Sequence, residues 1–151
     1  MERMVEGGRL TPTGTGVETL GGDVRLEAVG ESFYQDALHQ ITGGDTRDRV
    51  LVKIVAVLKA ETDNPHDSNA VSIWIDGLKV GHLCRADAAR YRPGLLALES
   101  SCQRPIALAG VIAGGGIRAN GPGLLGVFLR HDPRDFGVST REGPSRRNSV
   151  M

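Results

Sequence analysis

The chain has 151 residues and a mass of 16.1 kDa, enough for one ordinary domain with tails and too little for two independent cores. Apolar residues make up 40% and charged residues 24%, so a core can form, yet nowhere is there the run of roughly 18 apolar residues that a membrane span requires. Basic and acidic residues balance at 18 each, which excludes a generally basic coat and means that a polyanionic partner has to be held by a local patch.

Residues 1 to 22 hold six Gly and four Thr with few large apolar side chains, a composition that does not repay the entropy of ordering, and they are expected to form a disordered arm. Met1 to Glu6 lacks a basic region followed by an apolar stretch, so a cytoplasmic location is expected. Residues 137 to 151, with three Arg, one Glu and only two valines as aliphatic residues, are expected to form a second disordered tail. Residues 23 to 136 are then the domain. Fifteen of the 18 cations are Arg and three are Lys, a bias that fits a GC-rich bacterial genome.

Within the domain, Val24 to Gly30 reads as a strand and Gln35 to Ile41 as a helix of a turn or two. Residues 50 to 60 are dense in β-branched side chains and form the longest strand, with Val50, Val52, Ile54, Ala56 and Leu58 on one side of the pleat. The runs Ala70 to Ile75 and Leu78 to Leu83 are joined by Asp76-Gly77, a strong hairpin signal because a tight turn needs positive φ. Arg85 to Tyr91 reads as helix, with Pro93 breaking or restarting it before Leu95, so that Cys84 to Ser101 forms a helical insertion. Ile106 to Ile112 and Leu124 to Leu129 read as two further strands joined by a flexible Gly-rich connection. That connection is not a phosphate loop, since no Gly-Lys-Ser/Thr follows it and no helix opens after it. The pattern predicts a mainly β domain, a small closed antiparallel barrel with one or two short helices. Cys84 and Cys102 have no spacing suited to zinc or to a disulfide framework and are expected to be reduced thiols.

The loop Asn64-Pro65-His66-Asp67-Ser68-Asn69-Ala70 has its own physical logic. Pro65 fixes one φ and pushes Asn64 from the helical region, while Asp67 and Asn69 can bond back to nearby amides, so a stiff loop is expected. Taken with Val29-Gly30-Glu31-Ser32-Phe33-Tyr34 before the long strand and Val80-Gly81-His82-Leu83 after the loop, it resembles the HIRAN domain, over about Val24 to Phe136. The resemblance implies an OB-like barrel, of a kind found alone in bacteria and at the amino terminus of DNA translocases that remodel stalled forks, where it grips a single-stranded 3′ end. It implies that Phe33, Tyr34 and His66 contact bases, that Asp67 accepts the terminal 3′-hydroxyl, and that His82 and Arg85 lie beside phosphates. Two positions depart from the DNA-binding members: Ser32 stands where those have a basic residue and His66 where those have an aromatic one. Arg47, Arg49, Arg85, Arg90 and Arg92 are the cations available to compensate.

The chemistry supports such roles independently. An aromatic ring stacks on any base, because every base has a flat face. On a strand only one of Phe33 and Tyr34 would face a ligand, and Tyr34 is expected to be that one, with Phe33 in the core. A carboxylate repels phosphate and only accepts hydrogen bonds, so in such a groove Asp67 makes sense against a hydroxyl donor, favouring a free 3′-OH over a 3′-phosphate. Each residue also has a purely structural role open to it: Asp67 can close an Asx turn, His82 can be a solvated strand residue, and Trp74 can lie beneath the helical insertion. A metal site from His66, Asp67 and His82 matches no ligand spacing, and no cofactor is expected. No nucleophile elbow, acid pair or Cys/His pair is present, so no enzymatic activity is expected. The expected function is a non-catalytic module for the 3′-OH end of single-stranded DNA, serving repair or stalled-fork processing, with a helicase or nuclease as a partner. The alternative is a module that binds a protein partner through a sheet edge.

Overall fold

A computed structural model of the chain describes residues 16–44, 48–119 and 121–139. Nine strands and two helices follow in chain order: β1 (Glu18–Leu20), β2 (Val24–Val29), α1 (Gln35–Thr42), β3 (Arg49–Ala60), β4 (Val71–Ile75), β5 (Leu78–Leu83), α2 (Arg85–Cys102), β6 (Ile106–Gly115), β7 (Ile117–Arg118), β8 (Gly121–Pro122) and β9 (Leu125–His131). Short 3-10 turns at Glu31–Phe33 and Pro133–Phe136 precede α1 and follow β9.

The expected barrel is present. Strands run in the order β6-β3-β4-β5-β2-β9, and β9 pairs again with β6 to close a ring of six antiparallel strands. The longest seam joins β3 to β6 over the register Arg49↔Gly115 to Leu58↔Ile106. Ala56 and Leu58 are buried while Val50 and Ile54 pack against the core, and Leu51, Lys53 and Val55 face outward, so the pleat follows the expected alternation. The β4–β5 turn has Asp76 at φ 52° and Gly77 at φ 79°, the pair of positive φ values that matches a two-residue turn to the twist of its strands.

Helix α2 closes one end, burying Ala88, Tyr91 and Leu95 at the spacing of a single helical face. The expected break at Pro93 does not occur. One backbone bond is forfeited there, but Tyr91 and Leu95 on either side are both in the core, and that packing carries the helix through. At the next residue the chain of the Pro133–Phe136 turn comes so close that a Cβ on Gly94 would meet the Phe136 carbonyl at 2.0 Å. Among the described residues no helix is long and apolar enough to cross a membrane.

Three further expectations are corrected. Glu18–Leu20, assigned by composition to the disordered arm, is strand β1, paired in parallel with Ile106–Leu108 of β6; backbone hydrogen bonding is joined by Leu20 packing against the core and by Glu18 pairing with Arg104 at 3.3 Å. At the other end Val138 packs against the core and its N–H donates to the Pro133 carbonyl at 3.0 Å. Residues 1–15 and 140–151 of the two tails lie outside the described residues. The Gly-rich connection is a structured hairpin rather than a loose link, for β6 extends through Gly115 and β7 pairs with β8.

Candidate nucleic-acid interface

The Gly30–Tyr34 segment is fastened to the start of β9 by two side chains. Gln35 Nε2 donates to the Leu125 carbonyl at 2.9 Å while its Oε1 accepts from the Leu125 N–H at 2.9 Å, and Glu31 Oε2 accepts from the Val127 N–H at 3.2 Å. Together these satisfy backbone groups on β9, whose pairing with β2 begins only at Phe128. Because the segment is a 3-10 turn leading into α1 and not a strand, the alternation expected of its two aromatic residues is reversed. Phe33 is 86% exposed, whereas Tyr34 is half-buried at the start of α1 with its ring 6.3 Å from that of His82. Phe33 is therefore the outward ring, and it is not part of the core.

His82 reaches the next layer through Glu61. Its Nε2 lies 3.5 Å from Glu61 Oε2, which also accepts from Lys79 Nζ at 2.8 Å, and Glu61 Oε1 accepts from Asn64 Nδ2 at 3.0 Å. Partial burial opposes the charge on Glu61, but the bonds from Lys79 and Asn64 and the nearby cations outweigh it and hold its pKa down at about 2. No motif flags Glu61. Only the β3–β4–β5 pairing brings the end of β3 beside Lys79 and His82 on β5.

From Asn64 the contacts continue into the loop. Asn64 Oδ1 accepts from the His66 and Asp67 N–H groups at 2.8 and 3.1 Å, and Asp67 Oδ1 accepts from the Asn69 N–H at 2.9 Å. The loop is thus a double Asx turn, in which Asn64 does the capping expected of Asn69. Arg92 anchors it from α2, its Nη1 donating to the carbonyls of Glu61 and Ala70 at 2.7 and 3.2 Å. Asp67 fills its structural role and still keeps its second oxygen: the side chain is 19% exposed and Oδ2 lies 3.9 Å from Arg85 Nε. Arg85 in turn donates from Nη2 to the His66 carbonyl at 2.8 Å, and the His66 side chain is exposed.

Five of the six expected site residues are linked by contacts, from Tyr34 through His82, Glu61 and Asn64 to Asp67, Arg85 and His66; Phe33 adjoins them as the chain neighbour of Tyr34. The other arginines do not join them as a group. Arg49 lines a separate groove, Arg90 pairs with Asp87, Arg92 is spent on the loop carbonyls, and Arg47 lies outside the described residues. Trp74 is on the outer face, where its Nε1 donates to Ser72 Oγ at 2.8 Å and Lys59 Nζ sits 4.6 Å from the ring centroid. Among the described residues no group of three or more His, Cys, Asp or Glu is placed to hold a metal.

The groove runs along the Gly30–Ser32 part of the turn. It is open, has a volume of about 450 Å3, and is lined by Gly30, Glu31, Ser32, Arg49, Gly114 and Phe128 among others. It does not include Asp67.

No family model matches the chain, and no curated protein matches it. Among solved structures it is similar to the crystal structure of the HIRAN domain of human HLTF, at 22% identity over 75% of this chain and 80% of that one, with a TM-score of 0.35.

Proposed function

We propose that this domain is a non-catalytic module that grips single-stranded DNA at a free 3′-OH end. The observation that carries the reading is the stiffened Asp67 carboxylate, its Oδ2 free of hydrogen bonds and 3.9 Å from an Arg85 guanidinium that keeps donors to spare, beside the exposed His66. In this reading Phe33 and His66 offer faces on which bases stack. Asp67 Oδ2 accepts the terminal hydroxyl, and because it cannot donate it repels a terminal phosphate. Arg85, fixed at one nitrogen by the His66 carbonyl, presents its remaining N–H groups to the backbone phosphate. Tyr34, His82 and Glu61 hold this surface in place from beneath. Strand ends of this kind arise in repair and at stalled forks, so a helicase or nuclease acting on the same end is the partner this reading calls for.

The test is fluorescence anisotropy with labelled strands that differ only in carrying a 3′-OH or a 3′-phosphate, at low and high salt. Salt-sensitive binding that favours the 3′-OH supports the reading, and equal binding of the two ends refutes it. A second reading, docking of a protein partner by strand addition, is favoured by one observation: among the described residues β1 stands outside the closed ring and pairs only with β6. Absence of DNA binding even at low salt would favour that reading.

A further inference from the structure

The outer faces of β3, β6, β9 and β2 form a second surface next to the groove. Registered pairs place Lys53, Val111, Phe128 and Glu27 in one row across the four strands. Rows on either side hold Leu51 with Ala113 and Gly126, and Arg25 with Arg130. The β3 wall is unusual for a solvent-facing strand: Leu51 is 74% exposed and Val55 is 43% exposed, with the exposed Lys53 between them. On the opposite wall the Arg25 guanidinium lies 4.5 Å from the centroid of the Phe128 ring. Arg49 stands at the end of β3 where this face meets the groove, and among the described residues neither Arg49 nor Lys53 is held in an ion pair. Outward strand positions here carry four cations, Arg25, Arg49, Lys53 and Arg130, against the carboxylate of Glu27, which lies 3.4 Å from Arg25 Nε; Glu31 adds one carboxylate to the groove lining, and the chain's charges balance overall at 18 each.

We infer that this face is a track for the single strand as it leaves the 3′-end site. The inference rests on the reading given under Proposed function. Charge complementarity selects a polyanion, and exposed apolar and aromatic side chains interleaved with cations are what base faces and phosphates require of a sequence-indifferent groove. The groove supplies continuity: Ser32 on its rim is followed directly by the exposed Phe33, and Arg49 and Phe128 on its other walls open onto the outer face. From Arg49 to Val55 the track is about 20 Å long at the rise of a β-strand.

The experiment uses strands of about 4 and about 12 nucleotides, both with a free 3′-OH, the range over which one OB-type domain is filled. Wild type should bind the longer strand more tightly. The double variant Arg49→Gln, Lys53→Gln changes only exposed positions; it should lose about fivefold on the longer strand and little on the shorter one. Its log–log salt slope on the longer strand should be shallower by about 1.4, the equivalent of two phosphate contacts. Equal affinity of wild type for both lengths, or an undiminished affinity of the double variant for the longer strand, overturns the track while leaving the 3′-end site intact. Length-dependent binding lost in the variant but blind to a 3′-phosphate would keep the track and remove the end site. Binding of neither strand removes both.

Discussion

Arg85 and His66 are tied side chain to backbone: a guanidinium nitrogen at the start of α2 donates to the His66 carbonyl at 2.8 Å. The bond fixes the tip of the loop to a rigid helix and leaves the imidazole of His66 and most of the Arg85 donors facing solvent. It also sets Arg85 Nε 3.9 Å from Asp67 Oδ2, so the cation proposed to meet a phosphate and the anion proposed to meet a hydroxyl are held as neighbours.

Substituting Asp67→Asn separates the two roles of that side chain. The amide oxygen can still accept from the Asn69 N–H, so thermal stability should stay within about 0.5 kcal/mol of wild type. The charge-assisted bond to a terminal hydroxyl is lost, and preference for a 3′-OH over a 3′-phosphate should fall about tenfold. Paired titrations of wild type and variant with the two strands measure this, and an unchanged preference would end the selector role.

Phe33→Ala tests the outward ring. With 86% of the residue exposed, its removal should leave the melting temperature nearly unchanged, while strand affinity should drop by about 1–3 kcal/mol, the contribution of one stacked base. Marked destabilisation without loss of binding would return Phe33 to the structural role first expected of it.

Acid should weaken the loop through Glu61. Its pKa is depressed from 4.5 to about 2, so the stabilisation is complete above the unfolded value and is lost as pH falls from about 4.5 towards 2. Glu61→Gln should flatten stability against pH in that window and raise amide exchange at His66 and Asp67. Hydrogen exchange followed by NMR would show it; unaltered exchange would mean that Asn64 holds the loop without Glu61.

A separate window belongs to His131, which is buried at 1% exposure. Its Nδ1 meets the Val24 carbonyl at 2.9 Å and must donate, so Nε2 accepts from the Tyr91 hydroxyl at 2.8 Å. Burial lowers the pKa of the ring below its ordinary 6.5, with the Val24 bond opposing. The unfolded chain takes up the proton first, so stability should decline as pH drops below about 6.5 and continue to fall until the folded ring itself protonates. Melting curves from pH 7.5 downward, with an NMR titration of the ring, check the direction; a ring midpoint above 6.5 contradicts it.

Gly94→Ala should be among the costlier single-methyl changes in the domain. The added Cβ would meet the backbone carbonyl of Phe136 at 2.0 Å, which cannot yield without moving the Pro133–Phe136 turn off α2, at a cost of about 1–3 kcal/mol. Chemical denaturation would measure it, and a loss under 0.5 kcal/mol would show that the turn adjusts freely.

Much of this molecule was legible in its residue order, because the signals concerned are local. Alternation along residues 50 to 60 determines which side of β3 faces inward, Asp76-Gly77 determines the turn, and Asn64 to Ala70 caps its own amides. These choices depend on neighbours a few residues away, and the barrel and the stiff loop followed from them. What depends on distant partners was not legible. Composition gave no sign that Glu18–Leu20 would find the β6 edge, or that Tyr91 and Leu95 would carry a helix through Pro93. The reversal of Phe33 and Tyr34 came from Glu31 and Gln35 fastening their turn to β9, about 90 residues later in the chain. Likewise Glu61 became the centre of the site only when pairing of β3, β4 and β5 set it between Lys79, Asn64 and His82. Local periodicity determined the elements and their faces; tertiary packing decided which side chains were left exposed and which charges became neighbours, because both are settled by contacts between segments far apart in the chain.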